Sequence, residues 1–101
     1  MGKSILEVIH ESANDLHAAG LMDAVTLREF DALCLPPVRD YTPDEIKAIR
    51  LRTRTSQGVF ACYLNTSKYT VQKWEQGTKK PNGPSLKLLS LVDRKGLDVL
   101  A

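Results

Sequence analysis

At 101 residues, with 43% hydrophobic and 26% charged residues, the chain has the size and make-up of one small folded domain with room for an arm. No apolar run approaches the roughly 20 residues that cross a bilayer, and acidic residues interrupt the N-terminus too early for a secretory signal, which points to the cytoplasm. The net charge of +2 conceals a division: residues 1–40 carry a net −4 and residues 41–101 a net +6. Opposite halves of this kind suit two partners, a polyanion for the basic part and a basic protein for the acidic part.

Ser4-Ile5-Leu6-Glu7 has the spacing of a capping box, in which a hydroxyl and a carboxylate each satisfy a free backbone N–H. Apolar residues recur at Ile5, Leu6, Ile9, Ala13 and Leu16, so a helix is expected from about Ser4 to Ala19, stopped by Gly20. Leu21 to Leu35 is ambiguous. Val25-Thr26-Leu27 favours a short strand, whereas Leu27, Phe30, Ala32 and Leu33 equally suit a helical turn. Pro36-Pro37 closes this stretch, and because the charge changes sign here, Pro36 to Asp40 reads as a linker between an arm, residues 1–40, and a domain, residues 41–101.

The basic half reads as a series of short helices. Thr42-Pro43-Asp44-Glu45 combines a cap, a proline at the first helical position and a closing Glu, and Ile46, Ile49 and Leu51 carry the helix to about Thr53. Ser56 caps Gln57 to Leu64, with Val59, Phe60 and Tyr63 spaced for one face. Asn65-Thr66 makes a tight turn, and Ser67 caps a helix that Gly77 ends. After a loop from Lys79 to Gly83, a Leu-rich helix begins near Asn82 to Pro84 and stops at Gly96.

Two short helices around a turn of three or four residues form a helix-turn-helix pattern, with Ser67 to Gln76 as the segment that enters the major groove. Val59, Phe60 and Leu64 are expected to meet Val71 and Trp74 beneath the turn, and Ala61 is small where the helices cross. The outer face then carries Lys68, Tyr69, Gln72 and Lys73, whose long donors and aromatic ring reach bases and phosphates where carboxylates are repelled.

Ser56-Gln57, Phe60-Ala61, Leu64-Asn65, Ser67, Thr70-Val71, Trp74-Glu75-Gln76-Gly77 and Lys80-Pro81 together resemble the Cro/C1 type of helix-turn-helix, the XRE family. Within it, Gly-Val-Phe-Ala at 58–61, Trp-Glu-Gln-Gly at 74–77 and the Pro-Asn-Gly loop are most similar to HigA-type antitoxins, over about Tyr41 to Arg94. The resemblance implies an all-α bundle of four to five short helices with an N-terminal helical arm. It implies a repressor of its own operon that binds double-stranded, palindromic operator DNA as a homodimer spanning two half-sites. It assigns Gln57 to a phosphate and the adjacent base region, Lys68, Tyr69 and Lys73 to base reading, Thr70 to structure or phosphate, and Lys79, Lys80 and Asn82 to phosphates. Ser67 and Gln72 complete the set, and Arg50 with Glu75 forms a structural ion pair. Residues 1–40 would neutralise a basic RNase-type toxin; packing on the domain or on a second subunit, or an effector site, are the alternatives for the arm. A stand-alone phage-type or metabolic regulator is the alternative for the whole.

Gly58 interrupts a helix, and a close backbone approach is one reason for it. No enzyme is expected, since Asp44 and Glu45 serve a cap and no phosphate loop or catalytic motif involves His10 or His17. No cofactor or metal is expected either. Cys34 and Cys62 stand too isolated for a disulfide framework or zinc site and read as reduced, structural thiols.

Overall fold

A computed structural model describes residues 4–101, all of whose regular elements are helical. In order they are α1 (Ile5–Ala18), α2 (Ala24–Leu33), α3 (Pro43–Arg52), α4 (Gln57–Tyr63), α5 (Lys68–Gln76), α6 (Gly83–Lys95) and a 3-10 turn (Leu97–Leu100). The fold is therefore all-α. The chain divides into two compact units, the first ending at Pro37 and the second beginning at Val38.

The first unit is the helical pair α1 and α2. Ser4 and Glu7 form the capping box that opens α1. The ambiguous stretch resolves as α2, with Asp23 as its cap: Oδ1 accepts the Thr26 N–H at 2.8 Å. An aspartate immediately before an apolar-periodic run is a helix start, which outweighs the strand preference of Val25-Thr26. His10 Nε2 pairs with Asp31 Oδ1 between the helices, and Cys34 Sγ lies 3.3 Å from the Leu6 carbonyl oxygen. The apolar stripe of α1 is largely uncovered. Ala13 alone is buried among the described residues of this unit, while Ile5 is 79% exposed and Ile9 and Leu16 about 40%.

The second unit has a continuous core of Tyr41, Ile46, Ile49, Phe60, Ala61, Leu64, Val71, Trp74, Leu89 and Val92, with Leu86, Leu88, Leu97 and Leu100 packed against it. Trp74 and Phe60 are its largest fully buried side chains, and aromatic residues of this size dominate core energetics through the area they remove from water. Two expected core positions lie outside it. Val59 and Leu51 are both about half exposed: α4 makes only two turns, and its inner face is filled by Phe60, Ala61 and Leu64, leaving Val59 on the flank. Gly58 has no close neighbour either. A Cβ there would meet nothing nearer than Lys68 Cδ at 4.0 Å, and its place in the first turn makes the glycine inexpensive rather than required.

The chain enters this unit through a polar clamp. Arg39 lies over the Tyr41 ring, 4.1 Å from its centroid, and Nη1 donates to Glu45 Oε2 at 2.8 Å. Tyr41 donates its hydroxyl to Asp93, which also accepts from Arg52 at 2.8 Å. The Arg52 hydrogen bond holds the Asp93 carboxyl below its usual range, against an opposing effect of burial, while burial and the Asp93 bond together push the Tyr41 phenol up. Arg39, expected within the linker, is thus engaged by this unit.

Gly77, by contrast, is needed for both its conformation and its size. It ends α5 at φ 78°, with the Thr78 N–H returning to the Lys73 carbonyl, and a Cβ would stand 3.3 Å from Pro43 Cγ. Gly77→Ala is expected to lower stability by about 1–3 kcal/mol, from the left-handed backbone and the contact with α3 combined. Thermal unfolding followed by circular dichroism measures this; an unchanged midpoint would mean that the end of α5 relaxes freely.

Candidate nucleic-acid interface

Three local devices set α5 against α4. The Ser56 hydroxyl accepts the Val59 N–H and starts α4, and the Ser67 hydroxyl accepts the Thr70 N–H at 3.1 Å and starts α5. Between them the chain closes α4 in a Schellman motif: the Asn65 N–H bonds the Cys62 carbonyl and the Thr66 N–H bonds that of Ala61. Asn65 occupies the left-handed region at φ 55°, a conformation asparagine accepts more readily than most residues. Arg54 does the same at φ 58° after α3, where the Thr55 N–H returns to the Arg50 carbonyl.

The inner face of α5 is Val71 and Trp74, both fully buried. Helical spacing then places Lys68, Tyr69, Gln72 and Lys73 on the opposite side. Lys68 and Lys73 are exposed, Tyr69 is 73% exposed, and Gln72 is partly covered. Gln76 completes this face, four residues beyond Gln72; sequence reasoning missed it, although the i, i+4 spacing carried the signal.

The one carboxylate of α5 is withdrawn from the outer face. Glu75 is held by Arg50 through two bonds, Nε to Oε2 at 2.7 Å and Nη2 to Oε1 at 2.9 Å, and the two side chains are only 5% and 12% exposed. Arg50 also donates to the Thr55 carbonyl at 3.0 Å. The Glu75 hydrogen bond raises the guanidinium above its usual pKa against the opposing effect of burial. Glu75 is thereby neutralised, and α5 presents a face whose ionic groups are Lys68 and Lys73.

The remaining expected contact residues are distributed around this face. Gln57 is partly buried, and its amide donates to Glu75 Oε1 at 3.4 Å, so it is engaged within the protein. Thr70 is half-buried, with its hydroxyl 2.9 Å from that of Ser67. Lys79 and Lys80 are exposed in the loop after α5, and Asn82 Oδ1 caps α6 by accepting the Ser85 N–H at 2.9 Å. Both cysteines are free; Cys62 is exposed on α4 and so has no core role, while Cys34 is partly buried. Among the described residues no cluster of His, Cys, Asp and Glu is arranged to hold a metal ion, and no helix is long and apolar enough to cross a membrane.

No family model matches the chain. Over 53 residues it is 51% identical to Antitoxin HigA-2 of Vibrio cholerae serotype O1, a match that covers 52% of this chain. It spans about half the length of that relative, 51%.

The Arg50–Glu75 bridge ties α3 to the end of α5. Arg50→Ala or Glu75→Ala alone is expected to destabilise the second unit by about 3–5 kcal/mol, because each strands the other charge in a dry site. The double replacement is expected to cost less than the sum of the two. Denaturant unfolding of the three variants gives the coupling; strict additivity would mean that the pair contributes nothing as a pair.

Proposed function

We propose that the chain is the antitoxin of a toxin–antitoxin module and acts through two separate surfaces. In this reading residues 41–101 form a Cro/C1-type DNA-binding domain that represses the module's own operon, and residues 1–40 form the arm that neutralises the toxin. The observation that carries the DNA half is the outward face of α5, where Lys68, Tyr69 and Lys73 stand exposed while the helix's only carboxylate is buried against Arg50. Such a face inserts into the major groove without like-charge repulsion, with the Tyr ring and Gln72 reaching base edges and the lysines reaching phosphates or guanine. The loop lysines Lys79 and Lys80, with Asn82, would fix register on the backbone. Because a single helix reads only a few base pairs, two copies on a palindromic site supply the length of DNA that selective binding needs.

The antitoxin half is supported by the likeness to a relative that is itself named an antitoxin. The acidic balance of the first forty residues and the uncovered Ile5, Ile9 and Leu16 agree with it. An amphipathic helix with an exposed apolar stripe and acidic flanks fits a basic protein, and RNA-cleaving toxins are basic because they bind a polyanion.

Replacing Lys68 and Lys73 together by Ala is expected to weaken binding to the chain's own upstream DNA at least tenfold and to reduce the salt slope by up to about 2, with the melting temperature nearly unchanged. Electrophoretic shifts at several salt concentrations test this; unaltered affinity would remove α5 as the reader.

Removing residues 1–37, which leaves Arg39 and its Glu45 contact in place, is expected to spare DNA binding and abolish capture of the basic protein encoded beside this chain. Co-expression and affinity purification measure both, and a truncated chain that still retains that protein would move the contact elsewhere.

A further inference from the structure

A cavity of about 320 Å³ lies in the second unit, where the start of α3, the end of α5, the loop that follows it and α6 meet. Its wall is largely apolar: Tyr41, Ile46 and Trp74 belong to the core, and Leu86 packs against them. Trp74 is 2% exposed, and its indole Nε1 is sealed from solvent with no hydrogen-bond partner among the described residues. The ring therefore offers this cavity apolar surface and no directional donor. Other lining positions explain why no side chain of the protein fills the space. Pro43 and Pro81 carry rigid rings, and Gly77 has no side chain to contribute. Interiors normally close to crystal-like density, so a recess of this size against core side chains is unusual. Its volume reaches the lower end of the roughly 300–1,000 Å³ range of small-ligand pockets.

Charges of both signs line the same cavity. Asp40 lies on the segment that enters α3, and Lys79 and Lys80 lie on the segment that leaves α5. All three are exposed, and among the described residues no ion pair engages any of their side chains. Thr42 adds no free group, since its hydroxyl and its N–H are both taken by the cap of α3.

We propose that this cavity binds a free amino acid with an apolar side chain. The ligand carboxylate is taken by the ammonium groups of Lys79 and Lys80, its ammonium by Asp40, and its side chain lies against Tyr41, Ile46, Trp74 and Leu86. Opposite charges that line one small cavity without pairing match a ligand that carries both signs close together. A simple anion of the same shape meets Asp40, and a simple cation meets the two lysines, so each is opposed by a like charge. The apolar wall in turn favours a side chain that leaves water on binding, which glycine lacks. Lys79 and Lys80 are also the loop lysines that the DNA-binding reading places on phosphates. On that reading ligand and duplex draw on the same two charges, each weakens the other by the same factor, and the amino acid relieves repression. The cavity itself does not depend on that reading.

Trp74 is the chain's sole tryptophan and lines the cavity, so its fluorescence reports occupancy. The full-length protein is titrated with L-phenylalanine and L-leucine, and with three partial probes: glycine lacks the apolar group, phenylpropionate the ammonium and phenethylamine the carboxylate. Both apolar amino acids are expected to give a saturable response, with affinity at least tenfold above that of every partial probe. Asp40→Asn is expected to remove the preference for phenylalanine over phenylpropionate, and Lys79→Ala/Lys80→Ala to weaken phenylalanine at least tenfold. All three replaced side chains are exposed, and circular dichroism checks that the fold is kept. Saturating phenylalanine is expected to weaken the electrophoretic shift of the chain's own upstream DNA at least fivefold. If phenylalanine binds and the shift is unaltered, the site stands and its coupling to DNA falls. If phenylalanine binds and the protein shifts no duplex at all, the site stands and the DNA reading falls. No saturable response to either apolar amino acid, or phenylpropionate bound as tightly as phenylalanine, overturns the proposal.

Discussion

A guanidinium and a carboxylate, withdrawn together from water, organise the second unit. Arg50 reaches from α3 to Glu75 near the end of α5 and on to the Thr55 carbonyl, so one side chain joins two helices and the turn that follows the first. Burial of such a pair costs desolvation, and its geometry returns that cost only where both oxygens and several N–H groups are used. Here both carboxylate oxygens are used, with the Gln57 amide adding a third donor. The same bridge clears the outer face of α5 of its only negative charge. One interaction thus both ties α3 to α5 and keeps the only carboxylate of α5 off its outer face.

Much of this was legible in residue order. Ser4 with Glu7, Thr42 with Glu45, Ser56, Ser67 and Asn82 each cap the helix that their sequence context predicts, because a capping side chain acts within three residues of itself. Gly77 ends α5 and Gly96 ends α6 for an equally local reason. The burial of Trp74 and Val71, and the exposure of Lys68, Tyr69 and Lys73, follow from the same 3.6-residue spacing. The resemblance carried the Arg50–Glu75 pair, which joins residues too distant in sequence for any local rule to link.

What escaped the sequence was the competition for inner faces. Val59 and Leu51 are apolar and suitably spaced, yet a two-turn helix buries only what its neighbours leave room for, and Phe60 and Ile49 take those places. The strand preference of Val25-Thr26 hid α2 until Asp23 is weighed as its cap. The unpaired indole had no sequence signature at all: a tryptophan reads as core, and whether its N–H finds an acceptor depends on carbonyls and loops several helices away. The exposed stripe of α1 belongs with these, since periodicity marks an apolar face without saying what covers it.

Arg54 and Asn65 place side chains at two corners whose backbone favours glycine. The penalty at each is confined to a single residue, and arginine bears more of it than asparagine. Neither corner belongs to the apolar interior or to the outer face of α5. These are accordingly the points at which thermal tolerance can drift up or down, one substitution at a time, while packing and charge elsewhere stay as they are.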